Sequence, residues 1–278
     1  MNAITLNGAV YTPYRDPVFP RKCTADEMFK ELSAVIGQHE AALGAPAAAS
    51  GIPHLISSTI VEMPFTTGTV HWNDWREQLS HTCRNVPAAF TNAYECAGWG
   101  YLLRYLAKTR PSQRHCLITV FDVNLFNMSY WLENPNWEQS GFGILTLLFE
   151  RPDGDLPLQT GFGKTHNPVA EFAIAVRNEL KREPASAVAL PFFPEGVRAL
   201  FERTLKNEPR LPDLHPEWGH CFGSDPWLSL IHHRKSGKIQ DEPVLCCSLA
   251  LNGYYSLARV VTAKDAPLHI LEAKGGRA

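Results

Sequence analysis

The stretch NAYECAGWGYLLRYL, residues 92–106, decides how the rest of the chain is interpreted. Its apolar residues are typical of a buried helix, and Cys96 lies where that helix begins, before Ala97 and Gly98. A thiol at a helix N-terminus faces unpaired N–H groups and the positive end of the helix dipole, which favour the reactive thiolate. The stretch therefore predicts a nucleophile at Cys96. A small core residue is the alternative, because free cysteine is among the most buried residue types.

The composition of the chain, 278 residues of which 45% are hydrophobic, is typical of one large domain or two closely packed halves. The 26 basic and 28 acidic residues nearly balance, so no charge excess attracts nucleic acid or an anionic membrane. No apolar run reaches the roughly eighteen residues that span a bilayer, and the N-terminus lacks the features of a signal peptide. We therefore expect a cytoplasmic protein with protein or small-molecule partners, no nucleic acid and no membrane.

The cysteines and histidines outside the 92–106 stretch predict no metal site. The seven cysteines form no C-x-x-C pair and fit reduced thiols. Cys246 and Cys247 are adjacent in an apolar strand, where successive side chains point to opposite faces, so we expect both to be structural. His215, His232 and His233 have no carboxylate or cysteine at a recognised ligand spacing.

Hydrophobic periodicity predicts two similar halves. The first half has the order β, α, β, α, β, β, with its second strand over residues 54–63, and its first helix carries a capping box formed by Thr24 and Glu27. After a linker rich in Gly, Pro and Asp, the second half ends in two strands joined at Asn252-Gly253, a tight-turn signal. Each half ends in two apolar strands after a helix and cannot cover its sheet alone. We therefore expect residues 1–150 and 151–278 to pack as a single layered body.

The two halves, the cysteine at a strand-to-helix junction and the segment VLCCSLALNGYYSLARV, residues 244–260, together resemble the thiolase superfamily, specifically β-ketoacyl synthase III-like condensing enzymes. In those enzymes an A-C-S/A-G turn carries the catalytic cysteine, and Glu-Cys-Ala-Gly at 95–98 lies at that place. The resemblance runs almost end to end. It implies an α/β, thiolase-like layered α-β-α-β-α fold of two pseudo-repeated halves. It also implies that Cys96 accepts an acyl group while its own N–H faces the acyl oxygen.

Two of the three catalytic positions depart from the family pattern. The family histidine falls on Phe192 when aligned through Pro191, and the family asparagine falls on Ser224 when aligned through Gly223. In condensing enzymes those two side chains stabilise the enolate formed by decarboxylation, by about 3–4 kcal/mol per donor. Because a phenyl ring donates nothing, we expect no decarboxylative condensation. His220 is a candidate displaced base, with a surface loop histidine as the alternative.

The departures leave two functions open. In the first, the chain is a non-condensing partner of an intact synthase in fatty-acid, polyketide or quinolone-type biosynthesis, resembling the companion subunits of alkylquinolone-type condensing heterodimers. In the second, it is an acyltransferase that forms an acyl-thioester on Cys96 from acyl-CoA or acyl-carrier-protein phosphopantetheine. The lost side chains favour the first, and retention of Cys96 favours the second. The resemblance implies no bound cofactor, and a homodimer or a heterodimer with a full-length ketosynthase, with an acyl carrier protein as a further candidate partner.

A hydrolase is a third alternative for a cysteine at a strand-to-helix junction. However, no G-x-C-x-G flank surrounds Cys96, and no ordered acid and histidine follow it. We therefore favour the two thiolase-like functions.

Overall fold

The computed structural model of the chain describes residues 2–16, 18–19, 22–206 and 208–275. Its strands are β1 (Ile4–Arg15), β2 (His54–Ser57), β3 (Ala89–Thr91), β4 (His115–Asp122), β5 (Glu133–Asn134), β6 (Glu138–Gln139), β7 (Phe142–Glu150), β8 (Leu158–Phe162), β9 (Ala187–Ala189), β10 (Val244–Leu249), β11 (Tyr254–Thr262), β12 (Leu268–Ile270) and β13 (Lys274–Gly275). Its helices are α1 (Ala25–Ala42), α2 (Ala45–Ala48), α3 (Met63–Thr66), α4 (Trp72–Ser80), α5 (Gly98–Thr109), α6 (Ser129–Leu132), α7 (Pro168–Arg182), α8 (Glu195–Leu205), α9 (His215–Trp218) and α10 (Asp225–Lys235). Short 3₁₀ turns at Glu95–Ala97 and Phe222–Ser224 directly precede α5 and α10.

The order of the strands in the large sheet repeats. The first half has the order β3-β2-β4-β7-β1, and the second has β9-β10-β11-β8. In the first half β7 is antiparallel to β4 and β1, and in the second half β11 is antiparallel to β10 and β8. A parallel bridge between Val188 and Arg210 takes the place that β3 has in the first half. The halves join where residues 4–6 of β1 pair with residues 260–262 of β11. The predicted fold of two pseudo-repeated halves is confirmed.

The helices and the two halves of the sheet form five layers, and three large apolar clusters pack between them. Helices α5 and α10 lie in the middle layer, where Trp99 and Trp227 meet edge to face with ring centroids 4.8 Å apart. Helices α1 and α4 cover the outer face of the first half, and α7 and α8 cover that of the second. The alternation along β10 places Cys246 in the middle cluster and Cys247 in the outer one, as the sequence pattern predicts.

Local sequence explains where several elements begin and end. The predicted capping box at the start of α1 is present: Thr24 accepts from the N–H of Glu27, whose carboxylate accepts from the N–H of Thr24. The strand expected over residues 54–63 is too long, because β2 ends at Ser57. Ser58 and Thr59 leave the sheet to donate hydrogen bonds to Asp122 at the end of β4. Among the described residues, no helix is long and apolar enough to cross a membrane.

Candidate active site

The two 3₁₀ turns contact each other. Each precedes a central helix, and each begins with a residue of positive φ, Glu95 at 43° and Phe222 at 53°. A positive φ costs conformational free energy in residues other than glycine, and residues with this conformation are concentrated at functional sites. Cys96 in the first half therefore corresponds in position to Gly223 in the second. A Cβ on Gly223 would lie only 3.3 Å from the carbonyl oxygen of Cys96, so the two turns approach closely because that residue has no side chain.

Cys96, His220 and Asp225 form a buried chain of contacts. The Cys96 Sγ lies 3.9 Å from the Nε2 of His220, and the Nδ1 of His220 lies 2.6 Å from the Oδ2 of Asp225. Asp225 is held in place because it accepts hydrogen bonds from the N–H groups of Phe192 (2.9 Å) and Cys221 (2.6 Å). A carboxylate facing Nδ1 keeps the proton on that nitrogen and leaves Nε2 free to accept one. The arrangement is that of a nucleophile, a base and a group that orients the base.

The surroundings of the Cys96 thiol oppose its ionisation. Burial raises its pKa well above the usual range, and the negative charge of Asp122 raises it further. The hydroxyl of Thr59 donates to Sγ at 3.6 Å and acts in the opposite direction. Burial and a nearby charge therefore act against the thiolate that was expected from the helix N-terminus. A base is needed to activate this cysteine.

Asp122 is a second buried carboxylate beneath the thiol. It accepts hydrogen bonds from the N–H of Thr59 (2.5 Å), the hydroxyl of Ser58 (3.2 Å) and the N–H of Gly223 (3.3 Å). Burial raises its pKa to about 6, and the hydrogen bonds oppose that shift. Asp122 thus ties the segment after β2 to the turn before α10, across the two halves.

Cys96 and His220 line a cavity of about 280 Å³. Of the lining residues, Asn136 and Leu251 are exposed, whereas Cys96 and His220 are buried. Most of the wall is apolar, including Trp131, Trp137, Phe193, Val197, Phe222 and Leu249. An apolar cavity with a few convergent polar groups is typical of a small-molecule site. The N–H of Cys96 has no backbone acceptor within the described residues.

The structure brings together only some of the candidate residues. Cys96 and His220 meet, whereas Phe192 lies in the middle cluster and Ser224 is buried, and neither lines the cavity. The ring of Phe193, the neighbour of Phe192, does line the cavity. Asp225 was not predicted, although an acidic residue at the start of a helix, five residues after a candidate base, is a usable signal.

The histidines that were considered as metal ligands have other partners. His215 and His233 contact backbone carbonyl oxygens through Nε2, at 2.8 and 3.2 Å. No group of three or more His, Cys, Asp or Glu side chains able to hold a metal ion occurs in the part of the chain that the structure describes.

The sequence matches no protein-family model and no curated protein. Solved structures match the fold over nearly the whole chain. A 3-oxoacyl-(acyl-carrier-protein) synthase III is 13% identical with a TM-score of 0.62, covering 93% of this chain and 99% of its own. ChlB3, described as an acyltransferase, is 14% identical with a TM-score of 0.67, covering 96% and 99%. OleA from Xanthomonas campestri, with cerulenin bound, is 12% identical with a TM-score of 0.61, covering 94% and 99%. Identities this low show a shared fold.

Proposed function

From the thiolase-like fold that the chain shares with ketosynthase III-type proteins, we propose that it transfers an acyl group through Cys96 without decarboxylation. The donor is an acyl thioester of coenzyme A or of an acyl carrier protein, and the acceptor is a hydroxyl or amine. The observation that supports this function is the contact chain of Cys96, His220 and Asp225 beside an apolar cavity. Because a fold alone does not define an activity, the proposal depends on the residues of the site.

The first half-reaction loads the acyl group onto the cysteine. The Nε2 of His220 takes the proton of Cys96 as Sγ attacks the thioester carbonyl carbon, and the carbonyl oxygen becomes an oxyanion. The N–H of Cys96 stabilises that oxyanion. When the intermediate collapses, the bond to the donor sulfur breaks and the leaving thiolate takes the proton from His220. Asp225 keeps the imidazole oriented and stabilises its charged form.

The second half-reaction releases the acyl group to the acceptor. His220 takes the proton of the acceptor O–H or N–H while its oxygen or nitrogen attacks the acyl carbon. The bond to Cys96 Sγ then breaks, and the sulfur regains the proton from His220. The net reaction converts one thioester and one acceptor into one ester or amide and one free thiol, so it needs neither an oxidant nor a metal to balance.

Several features favour acyl transfer over condensation. Decarboxylative condensation needs side-chain donors at the thioester oxygen, and neither Phe192 nor Ser224 lines the cavity. The Nδ1 of His220 lies 2.6 Å from the carboxylate of Asp225, and its Nε2 lies 3.9 Å from the thiol sulfur. That ChlB3, with the same fold, is described as an acyltransferase agrees with this function.

A non-condensing partner of an intact synthase stays the second candidate. That function was inferred from the lost side chains at Phe192 and Ser224, and it does not account for a buried base beside a buried thiol. We retain the predicted dimer, either of two copies or with a full-length ketosynthase. Size-exclusion chromatography with light scattering, alone and after co-expression with such a synthase, tests this assembly.

Intact mass after incubation with acetyl-CoA, butyryl-CoA and acyl carrier protein thioesters tests the proposed acylation. We expect a mass increase of one acyl group in the wild-type protein and in Cys246→Ala, a control at a buried cysteine outside the cavity. The increase is expected to disappear in Cys96→Ala. A folded wild-type protein that gains no acyl group, or an adduct that persists in Cys96→Ala, overturns acyl transfer through Cys96. Absence of the adduct together with a stable heterodimer supports the partner function.

A further inference from the structure

We propose that the hydroxyl of Thr59 stabilises the thiolate of Cys96, by donating a hydrogen bond to the sulfur while the acyl group is transferred. This assignment rests on the proposed function, because it adds a catalytic residue to the same site. Thr59 keeps its own proton throughout, and no bond to it forms or breaks. His220 therefore stays the base, and Thr59 acts only on the charge that forms on the sulfur.

Thr59 is buried beside the thiol. Its Oγ1 lies 3.6 Å from the Cys96 Sγ, and both residues line the cavity of about 280 Å³. Among the described residues that line this cavity, Thr59 alone carries a hydroxyl. A thiolate in a mostly apolar cavity is disfavoured by burial, whereas a hydrogen bond is stronger to a charged sulfur than to a neutral one. The hydroxyl therefore stabilises the thiolate more than it stabilises the thiol.

The hydroxyl of Thr59 has one proton and two acceptors. It lies 3.5 Å from the Oδ2 of Asp122, nearly the same distance as from the Cys96 Sγ. Asp122 also accepts hydrogen bonds from the N–H of Thr59 at 2.5 Å, the hydroxyl of Ser58 at 3.2 Å and the N–H of Gly223 at 3.3 Å. The carboxylate therefore loses little when charge forms on the sulfur and the hydroxyl donates to Sγ instead.

The segment after β2 holds Thr59 in position. The N–H of Thr59 donates to the Oδ1 of Asp122, and the N–H of Ser58 donates to the carbonyl oxygen of Thr91 on β3 at 3.0 Å. The hydroxyl of Ser58 in turn accepts a hydrogen bond from the N–H of Val61 at 2.9 Å. These bonds fix the backbone on both sides of Thr59. The hydroxyl is thus in place beside the thiol before a substrate binds, as electrostatic stabilisation by a preorganised donor requires.

The test compares Thr59→Val, which keeps the branched shape without the hydroxyl, with Thr59→Ser, which keeps the hydroxyl. Alkylation by iodoacetamide at pH 8, quantified at Cys96 by peptide mass spectrometry, reports on the thiolate and needs no acyl transfer. Single-turnover acylation with butyryl-CoA reports on the proposed reaction.

We expect both rates to fall in Thr59→Val. Loss of a hydrogen bond to a charged group lowers the thiolate population by about tenfold to a hundredfold. The greater nucleophilicity of the remaining thiolate offsets about half of that effect on a logarithmic scale. Both rates should therefore fall about threefold to tenfold in Thr59→Val and stay within about twofold of the wild type in Thr59→Ser.

Cys23, which is the one cysteine of the described residues that is not buried, is the internal control. Its alkylation rate in the same digests should be equal in all variants, and the thermal unfolding midpoint checks the fold. If Thr59→Val does not fold, Thr59→Ala removes the hydroxyl with a smaller side chain. Unchanged rates at Cys96 in the folded variant, or an equal loss in Thr59→Ser, overturn the role of Thr59. If the wild-type protein is not acylated, the proposed function fails, and alkylation alone still decides whether Thr59 stabilises the thiolate.

Discussion

Replacing Asp225 with asparagine tests whether His220 acts as the base for Cys96. The two oxygens of the carboxylate accept hydrogen bonds from the N–H groups of Phe192 and Cys221. One of these oxygens also lies 2.6 Å from the Nδ1 of His220. An asparagine has one oxygen and one NH₂ group of nearly the same size. It cannot reproduce all three contacts, because its NH₂ group must face a donor wherever it is placed.

The two orientations of the new side chain bracket the loss of rate. If the NH₂ group faces His220, it forces the proton onto Nε2, and the imidazole can no longer accept the proton of Cys96. The comparable change in a serine-histidine-aspartate triad costs about 10⁴-fold in rate. If the oxygen faces His220 instead, the tautomer is kept but a charged hydrogen bond of roughly 1.5–3 kcal/mol is weakened. We therefore expect acylation in Asp225→Asn to be slower by about 10-fold to 10⁴-fold.

The assay is single-turnover acylation with butyryl-CoA, quenched at timed intervals and measured by intact mass. Two controls separate loss of the base from loss of the fold. The thermal unfolding midpoint of Asp225→Asn should stay near that of the wild-type protein. Alkylation of Cys96 by iodoacetamide at high pH, where hydroxide removes the proton, should also be little changed. A folded Asp225→Asn protein that is acylated within tenfold of the wild-type rate would refute the assignment of His220 as an oriented base.

Three further predictions concern buried groups. Burial raises the pKa of Asp122 from 3.8 to about 6. The contribution of its protonated form to the free energy of unfolding is therefore present at pH 4 and is lost above pH 6. The difference in unfolding free energy between Asp122→Asn and the wild type, measured with denaturant, should therefore change by about 2 kcal/mol in favour of the variant between pH 4.5 and pH 7.5. The pH dependence for His39 has the opposite sign, because burial lowers its pKa to about 3. Its contribution to the free energy of unfolding is therefore present above pH 6.5 and is lost as the pH falls. In the same titration, His39→Gln should lose less unfolding free energy at low pH than the wild type. A Cβ on Gly100 would lie 2.5 Å from the Cβ of Ser256 on β11, whereas a Cβ on Gly196 would meet open space. Urea unfolding should therefore show that Gly100→Ala is destabilised by about 1–3 kcal/mol and that Gly196→Ala is stabilised by about 0.5–1 kcal/mol.

The sequence allowed prediction of the features that depend on nearby residues. The capping box of Thr24 and Glu27 and the turn at Asn252-Gly253 need only a few adjacent positions, and both are present. The strand expected over residues 54–63 ends early because Asp122, far away in sequence, draws Thr59 out of the sheet. Local pattern carries no information about such a partner.

The candidate site was predictable in part for the same reason. Cys96 is marked by the start of its helix, and His220 was a candidate from the loop before α10. Asp225 was missed because it reaches His220 only through a turn at Phe222, where positive φ is unexpected for a bulky residue. The local sequence could not indicate that burial and the charge of Asp122 raise the pKa of Cys96, because both are properties of the folded chain.

The repeat explains why the site lies at the junction of the two halves. Each half places a 3₁₀ turn before its central helix, and the parallel pairing of β1 with β11 brings the two turns into contact. The first turn supplies the nucleophile, Cys96, and the second lies beside the base, His220, and the group that orients it, Asp225. Gly223 allows this approach, because a side chain there would meet the first turn. Neither half contains both the thiol and the base, so the proposed acyl transfer requires the two halves to be packed together.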